Sequence, residues 1–148
     1  MSGADEPTAA VAADLDAAHD RARKAYAARD GAAYMAVFHP EIQYQQLDGK
    51  VIGYAALARS VRTQLEHVEN AASEFRRESL ESQDRQQAIE VLAQSATYSV
   101  RAFGLLHTQW QVQRSGRYEW LFTDGRWQIR RVEVLAEVVT RVRTWLAF

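Results

Sequence analysis

The main change in the chain's hydrophobic period falls near Asn70. Before that point apolar residues mostly recur every three or four positions, with one short alternating stretch; after it they alternate with polar ones in long runs. A repeat of roughly 3.6 residues marks one face of a helix, and a repeat of about 2 marks one face of a strand. Helices first and strands second confine the chain to layered α+β folds, with helices covering one face of an antiparallel sheet.

In the first part, Thr8 is placed to cap a helix with the stripe Val11, Leu15, Ala18, Ala22 and Tyr26. Its many alanines favour helix and let a neighbouring element come close. Asp30 caps a second, short helix bearing Tyr34, Val37 and Phe38, and Pro40 ends it. The string "EIQYQQLDGKVIGY" reads as a strand with Ile42, Tyr44 and Gln46 on one face. Asp48-Gly49 then makes a tight turn and Val51-Ile52 pairs back. A third helix follows Gly53, carried by Leu57, Val61, Leu65 and Val68.

Past Asn70, "SEFRRESLES", "QAIEVLAQSATYSVRAF", "HTQWQVQR", "RYEWLF" and "RWQIRRVEVLAEV" read as strands. Turn signals at Gln83-Asp84-Arg85, Gly104, Ser115-Gly116 and Asp124-Gly125 separate them. The charges of "EFRRESLESQDR" suit an exposed edge strand, where they discourage pairing with another sheet. The end, "VVTRVRTWLAF", fits a short helix whose Val138, Val142, Trp145 and Leu146 dock on the domain or on a dimer partner. Residues 1–7 are expected to form a loose tail, 8–137 one domain, and 138–148 a C-terminal extension.

A net charge of -1 gives no electrostatic case for nucleic acid. Cysteine is absent, so disulfides, thiolate nucleophiles and cysteine-based zinc sites are excluded. No apolar run approaches the roughly 20 residues that span a bilayer, and "MSGADEPTAA" lacks the features of a signal peptide. A cytoplasmic protein without a membrane partner is expected. His19 and His67 are expected to face solvent from their helices, and His39 to belong to a helix end. Four dispersed histidines without matched carboxylates point to no metal site. No cofactor is expected.

The element order and the strings "ARDGAAYMAVFHPEIQY", "DGKVIGYAAL" and "DGRWQIRRVEV" resemble the nuclear transport factor 2-like superfamily over residues 10 to 137. That group includes polyketide cyclases (SnoaL-like proteins), ketosteroid isomerases and the calmodulin-kinase association domain. The resemblance implies a cone-shaped, curved antiparallel sheet wrapped around the three helices and enclosing a pocket. It also implies a homodimer through the other sheet face. Counted from Gly125, it turns Gln128, Arg130, Val132 and Val134 toward the pocket, and Trp127, Ile129 and Leu135 toward a partner. Function does not follow from the fold, which hosts enzymes, carriers and assembly modules.

The catalytic patterns that the resemblance implies fit unevenly. A ketosteroid isomerase would need a carboxylate at Gln46 and a tyrosine at Ala22; Tyr26 lies one turn on from Ala22. A polyketide cyclase pattern finds His107 on a middle strand but Val132 where its acid belongs. An epoxide hydrolase would need carboxylates around an arginine; the strands offer Arg101, Arg130 and Arg131 with Glu90, Glu119, Glu133 and Glu137.

The candidate catalytic residues are therefore His107, as base, and Tyr44, with either Tyr44 or Arg130 steadying an oxyanion. Tyr26, Phe38, Gln46, Tyr98 and Arg130 are the candidate ligand-binding residues. An inward Arg130 would favour a carboxylate-bearing ligand; the plainer reading places it at the rim, in water. Most of the aromatic residues would serve as core. The expected function is a small-molecule-binding protein with a hydrophobic pocket which, if it is an enzyme, acts by proton transfer, cyclisation or elimination on a carbonyl compound. The alternative is a non-catalytic dimeric assembly or accessory module.

Overall fold

The computed structural model describes residues 5–102 and 106–146. The first residues of the expected tail (1–4), the Gly104 turn and residues 147–148 lie outside the described residues. Helix α1 (Asp5–Ala27) starts three residues before Thr8, so Thr8 is inside the helix rather than its cap. Pro7 is tolerated there because first-turn N–H groups have no partner within a helix. The expected stripe is found: Val11, Leu15, Ala18 and Ala22 are buried. Asp30 caps α2 (Gly31–Met35), its carboxylate accepting from the Ala33 N–H at 3.0 Å.

Strand β1 (Phe38–Gln45) begins at once, so Phe38 and Pro40 are strand residues, and Pro40 does not end a helix. Strand β2 (Val51–Ile52) returns from a turn in which Gly49 has φ 88, as the Asp-Gly pair requires. Helix α3 (Tyr54–His67) buries Leu57, Val61 and Leu65. Four long strands complete the chain: β3 (Val68–Asp84), β4 (Gln87–Ala102), β5 (Leu106–Thr123) and β6 (Arg126–Leu146). The sheet order is β2-β1-β6-β5-β4-β3. It is an open sheet with β3 at one edge, where its charges were expected to lie.

Three expectations are corrected here. The sheet is mixed, because β1 runs parallel to β6, although all other pairs are antiparallel. The C-terminal extension is no helix: β6 continues to Leu146, and Trp145 pairs with His107 across the strands. Ser115-Gly116 is no turn; β5 runs straight through it. Asp124-Gly125 does close a hairpin, with φ 54 and 79, the left-handed pair a two-residue loop demands.

Strand β6 does not keep one alternation along its length. Its pairing with β5 jumps from Ile129 to Arg131, from Val134 to Ala136 and from Arg141 to Arg143, each against a single step on β5. Arg130, Leu135 and Val142 are thus the extra residues of three β-bulges, and each bulge reverses the alternation. Trp127 and Ile129 are buried on the helix side, then Val132 and Val134, then Glu137 and Val139 line the interior. The assignment of Trp127 and Ile129 to a partner face is overturned, as is the inward Arg130. No helix among the described residues is long and apolar enough to cross a membrane.

Candidate functional site

Between the sheet and the helices lies a cavity of about 610 Å³. On β4 the inward positions are Glu90, Leu92, Gln94, Ala96 and Tyr98; on β5 their partners are Tyr118, Gly116, Arg114, Val112 and Trp110. Tyr26, Tyr34, Phe38 and Tyr44 close the side formed by α1, α2 and β1. Their rings interlock, with centroids 5.4 Å apart for Tyr26–Tyr34 and 5.7 Å for Tyr34–Phe38. Such edge-on packing makes an apolar wall with hydroxyls at its margin.

Two polar groups interrupt this wall. At one, His19 of α1 lies 8% exposed with its ring 4.6 Å from Phe75 and 5.1 Å from Trp120. Its Nε2 sits 2.5 Å from Oε1 of Glu90, which is entirely buried. Trp120 Nε1–H donates to the same oxygen at 2.7 Å, and Arg77 Nε–H donates to Oε2 at 3.1 Å. Arg77 reaches on to Asp16 at 2.7 Å. Burial alone would push the Glu90 carboxyl up, but hydrogen bonds from His19 and Trp120 and the Arg77 charge outweigh it and hold it below its ordinary value. Glu90 is therefore a carboxylate at neutral pH, so His19 Nε2 carries the proton and donates.

At the other, Arg114 and Glu137 are cross-strand neighbours on β5 and β6. Arg114 Nε and Nη2 lie 2.7 Å and 2.6 Å from one oxygen, Oε2, of Glu137. Arg114 Nη1 points to the Tyr44 hydroxyl at 3.5 Å. Tyr118 stands between the two groups, its hydroxyl donating to Gln94 at 3.1 Å. Burial pushes the Tyr34 and Tyr118 hydroxyls far above the ordinary phenol range, and Tyr26 upward as well. All three remain neutral donors.

The sequence candidates divide accordingly. Tyr26, Phe38, Tyr44 and Tyr98 border the cavity. Gln46 does not: it lies past the end of β1 in the turn, its N–H donating to the Lys50 carbonyl at 2.8 Å. Arg130 is a bulge residue facing Glu41 at 3.7 Å, outside the cavity. His107 is elsewhere too, its Nδ1 2.8 Å from Glu69 and its ring stacked on Trp145 at 5.4 Å. His67 is exposed, but the expectation that His19 faces solvent is reversed.

His19, Glu90, Arg77, Arg114 and Glu137 were not singled out as a site from sequence. A signal existed for two of them. His19 follows Leu15 by four positions and precedes Ala22 by three, which puts it on the buried stripe of α1. Glu90 occupies the inward phase between Ala88 and Leu92.

No family model matches the chain, and no curated protein matches it significantly in sequence. Solved structures do match in shape. A scytalone dehydratase-like protein from Novosphingobium aromaticivorans superposes with a TM-score of 0.75 at 9% identity, over 97% of this chain and 91% of that one. A type 2 hexachlorocyclohexane dehydrochlorinase gives 0.67 at 9% identity, over 97% and 93%. A nuclear transport factor 2-like superfamily protein from Salmonella enterica gives 0.70 at 14% identity, over 86% and 91%. The chain has the nuclear transport factor 2-like fold, an α+β cone with an open, six-stranded mixed sheet.

Proposed function

We propose that the protein binds a small, largely apolar molecule in its cavity and moves a proton on it, with His19 as the acid–base group. The observation that carries this reading is a single cavity bordered by both His19, backed by Glu90, and Arg114 beside Tyr44. A carboxylate behind an imidazole fixes the ring's tautomer and steadies its charged form, leaving the other nitrogen to exchange a proton. Here Nε2 is engaged by Glu90, so Nδ1 is the exchanging atom. Arg114 and Tyr44 supply donors where negative charge would gather on a substrate oxygen. Two of the structural relatives bear the names of elimination enzymes, a dehydratase and a dehydrochlorinase, and elimination needs such a base. A carbonyl compound undergoing proton transfer, cyclisation or elimination fits the same groups.

The test is deuterium uptake. Small cyclic and aromatic ketones incubated with the protein in heavy water should exchange the protons beside their carbonyl, followed by NMR. His19→Gln should abolish the exchange while the fold survives. Equal exchange by His19→Gln, or no exchange above the buffer rate with any ketone that binds, overturns the reading.

A homodimer through the outer sheet face belongs to the same proposal. Val138, which pairs with Gln113 on that face, is 58% exposed, and the bulge residue Leu135 is 45% exposed. Sedimentation showing a monomer at micromolar concentration would remove it.

A further inference from the structure

Arg114 would ordinarily mark a cavity as a receptor for carboxylates, because its guanidinium offers a two-pronged edge that matches them. In this protein the Nε/Nη2 side of that guanidinium is taken. Both Nε and Nη2 of Arg114 converge on Oε2 of Glu137, its neighbour on the next strand. Glu137 itself borders the cavity. A ligand carboxylate docking here would have to displace Glu137 or lie against its charge. Nη1, turned toward the Tyr44 hydroxyl at 3.5 Å, and the second hydrogen of Nη2 are left to meet a ligand oxygen, with the Glu137 charge held against the same guanidinium.

The other charges around the cavity do not restore a positive field. Arg23 and Lys24 stand at its border, but both are paired with Asp20, at 2.6 Å and 2.9 Å, and Glu74 is also on the border. Behind His19 lie two carboxylates, Glu90 and Asp16, against the single guanidinium of Arg77. The walls therefore offer hydrogen bonds without a net attraction for an anion.

We infer that Glu137 is a specificity-determining residue that makes the cavity select neutral carbonyl or hydroxyl compounds and reject carboxylates of the same shape. This rests on the cavity being the ligand site, as proposed above. The device is a built-in repulsive element: the resident carboxylate excludes a competing one. A neutral carbonyl needs one or two donors, and Arg114 Nη1 with Tyr44 supplies them without disturbing the Arg114–Glu137 pair.

The experiment uses two probes of equal shape, methyl naphthyl ketone and naphthoate, titrated calorimetrically at neutral pH into the full chain. Wild type should bind the ketone at least roughly tenfold more tightly than naphthoate. Glu137→Gln, which keeps size and can still accept from Arg114, should strengthen naphthoate binding by roughly tenfold while shifting the ketone less than about threefold. Glu137→Ala serves as the second variant, with the same expected change of preference. A wild type that prefers naphthoate overturns the inference, as does an unchanged ratio in folded variants while both probes bind. If neither probe binds any form, the cavity is not the ligand site, and the role of Glu137 falls with it.

Discussion

Glu90, fully buried on β4, sits 2.5 Å from His19 of α1, a residue 71 positions earlier in the chain. Three donors surround its two oxygens, from His19, Trp120 and Arg77. An isolated buried carboxylate would cost several kcal/mol, so these donors are what allow it to remain charged inside the domain.

The pH dependence of stability follows from the lowered carboxyl of Glu90. Because the folded state binds this proton more weakly than the unfolded chain, the stabilisation is complete above the ordinary value of 4.5 and lost as pH falls through the lowered folded value. Glu90→Gln should cost about 3 kcal/mol near neutral pH, and the gap to wild type should narrow under acid. Urea titrations between neutral pH and the acid range check this; a constant gap would contradict it.

Trp120→Phe keeps an aromatic ring at a 2% exposed position but deletes the Nε1–H that donates to Glu90. A cost of about 1–3 kcal/mol is expected. The His19 ring should also lose its fixed orientation, seen as broadened or shifted imidazole resonances. An unaltered His19 spectrum would show that Trp120 does not position the pair.

Gly116 lets the Tyr118 ring approach closely and makes no turn. A methyl group built there meets the Tyr118 ring at 3.0 Å and its hydroxyl at 3.3 Å. Gly116→Ala should therefore push Tyr118 away from Gln94 and destabilise the fold by about 1–3 kcal/mol. Thermal unfolding measures the loss, and a neutral substitution would show that Tyr118 has room to give.

His107 and His19 provide an internal comparison. His107→Ala removes a ring held by Glu69 and Trp145, outside the cavity, and should change ligand affinity there by less than about twofold. His19→Gln acts on the cavity wall itself. A strong effect of His107→Ala on cavity binding would relocate the site.

The helices and most strands were legible because each buries one face, and a buried face imposes its period on the sequence. Val11, Leu15, Ala18 and Ala22 show this plainly. The site was less legible for two physical reasons. Bulges at Arg130, Leu135 and Val142 change which phase of β6 points inward, and a count of alternating residues carries no mark of an inserted one. Reading Ser115-Gly116 as a turn then cut β5, hiding that Arg114 shares the inward phase of Tyr118 and Val112. The pairing of His19 with Glu90 is tertiary, and local sequence states only that each falls on a buried phase.

The parallel contact between β1 and β6 has a consequence for how the protein acquires its cavity. The N-terminal strand finds its central neighbour only after every other strand has emerged from the ribosome. Ile129, Glu137 and Val139 complete the walls that Tyr34 and Tyr44 begin. A nascent chain halted before β6 would present those tyrosines to solvent or to chaperones. Closure of the cavity must therefore be a late event in biogenesis.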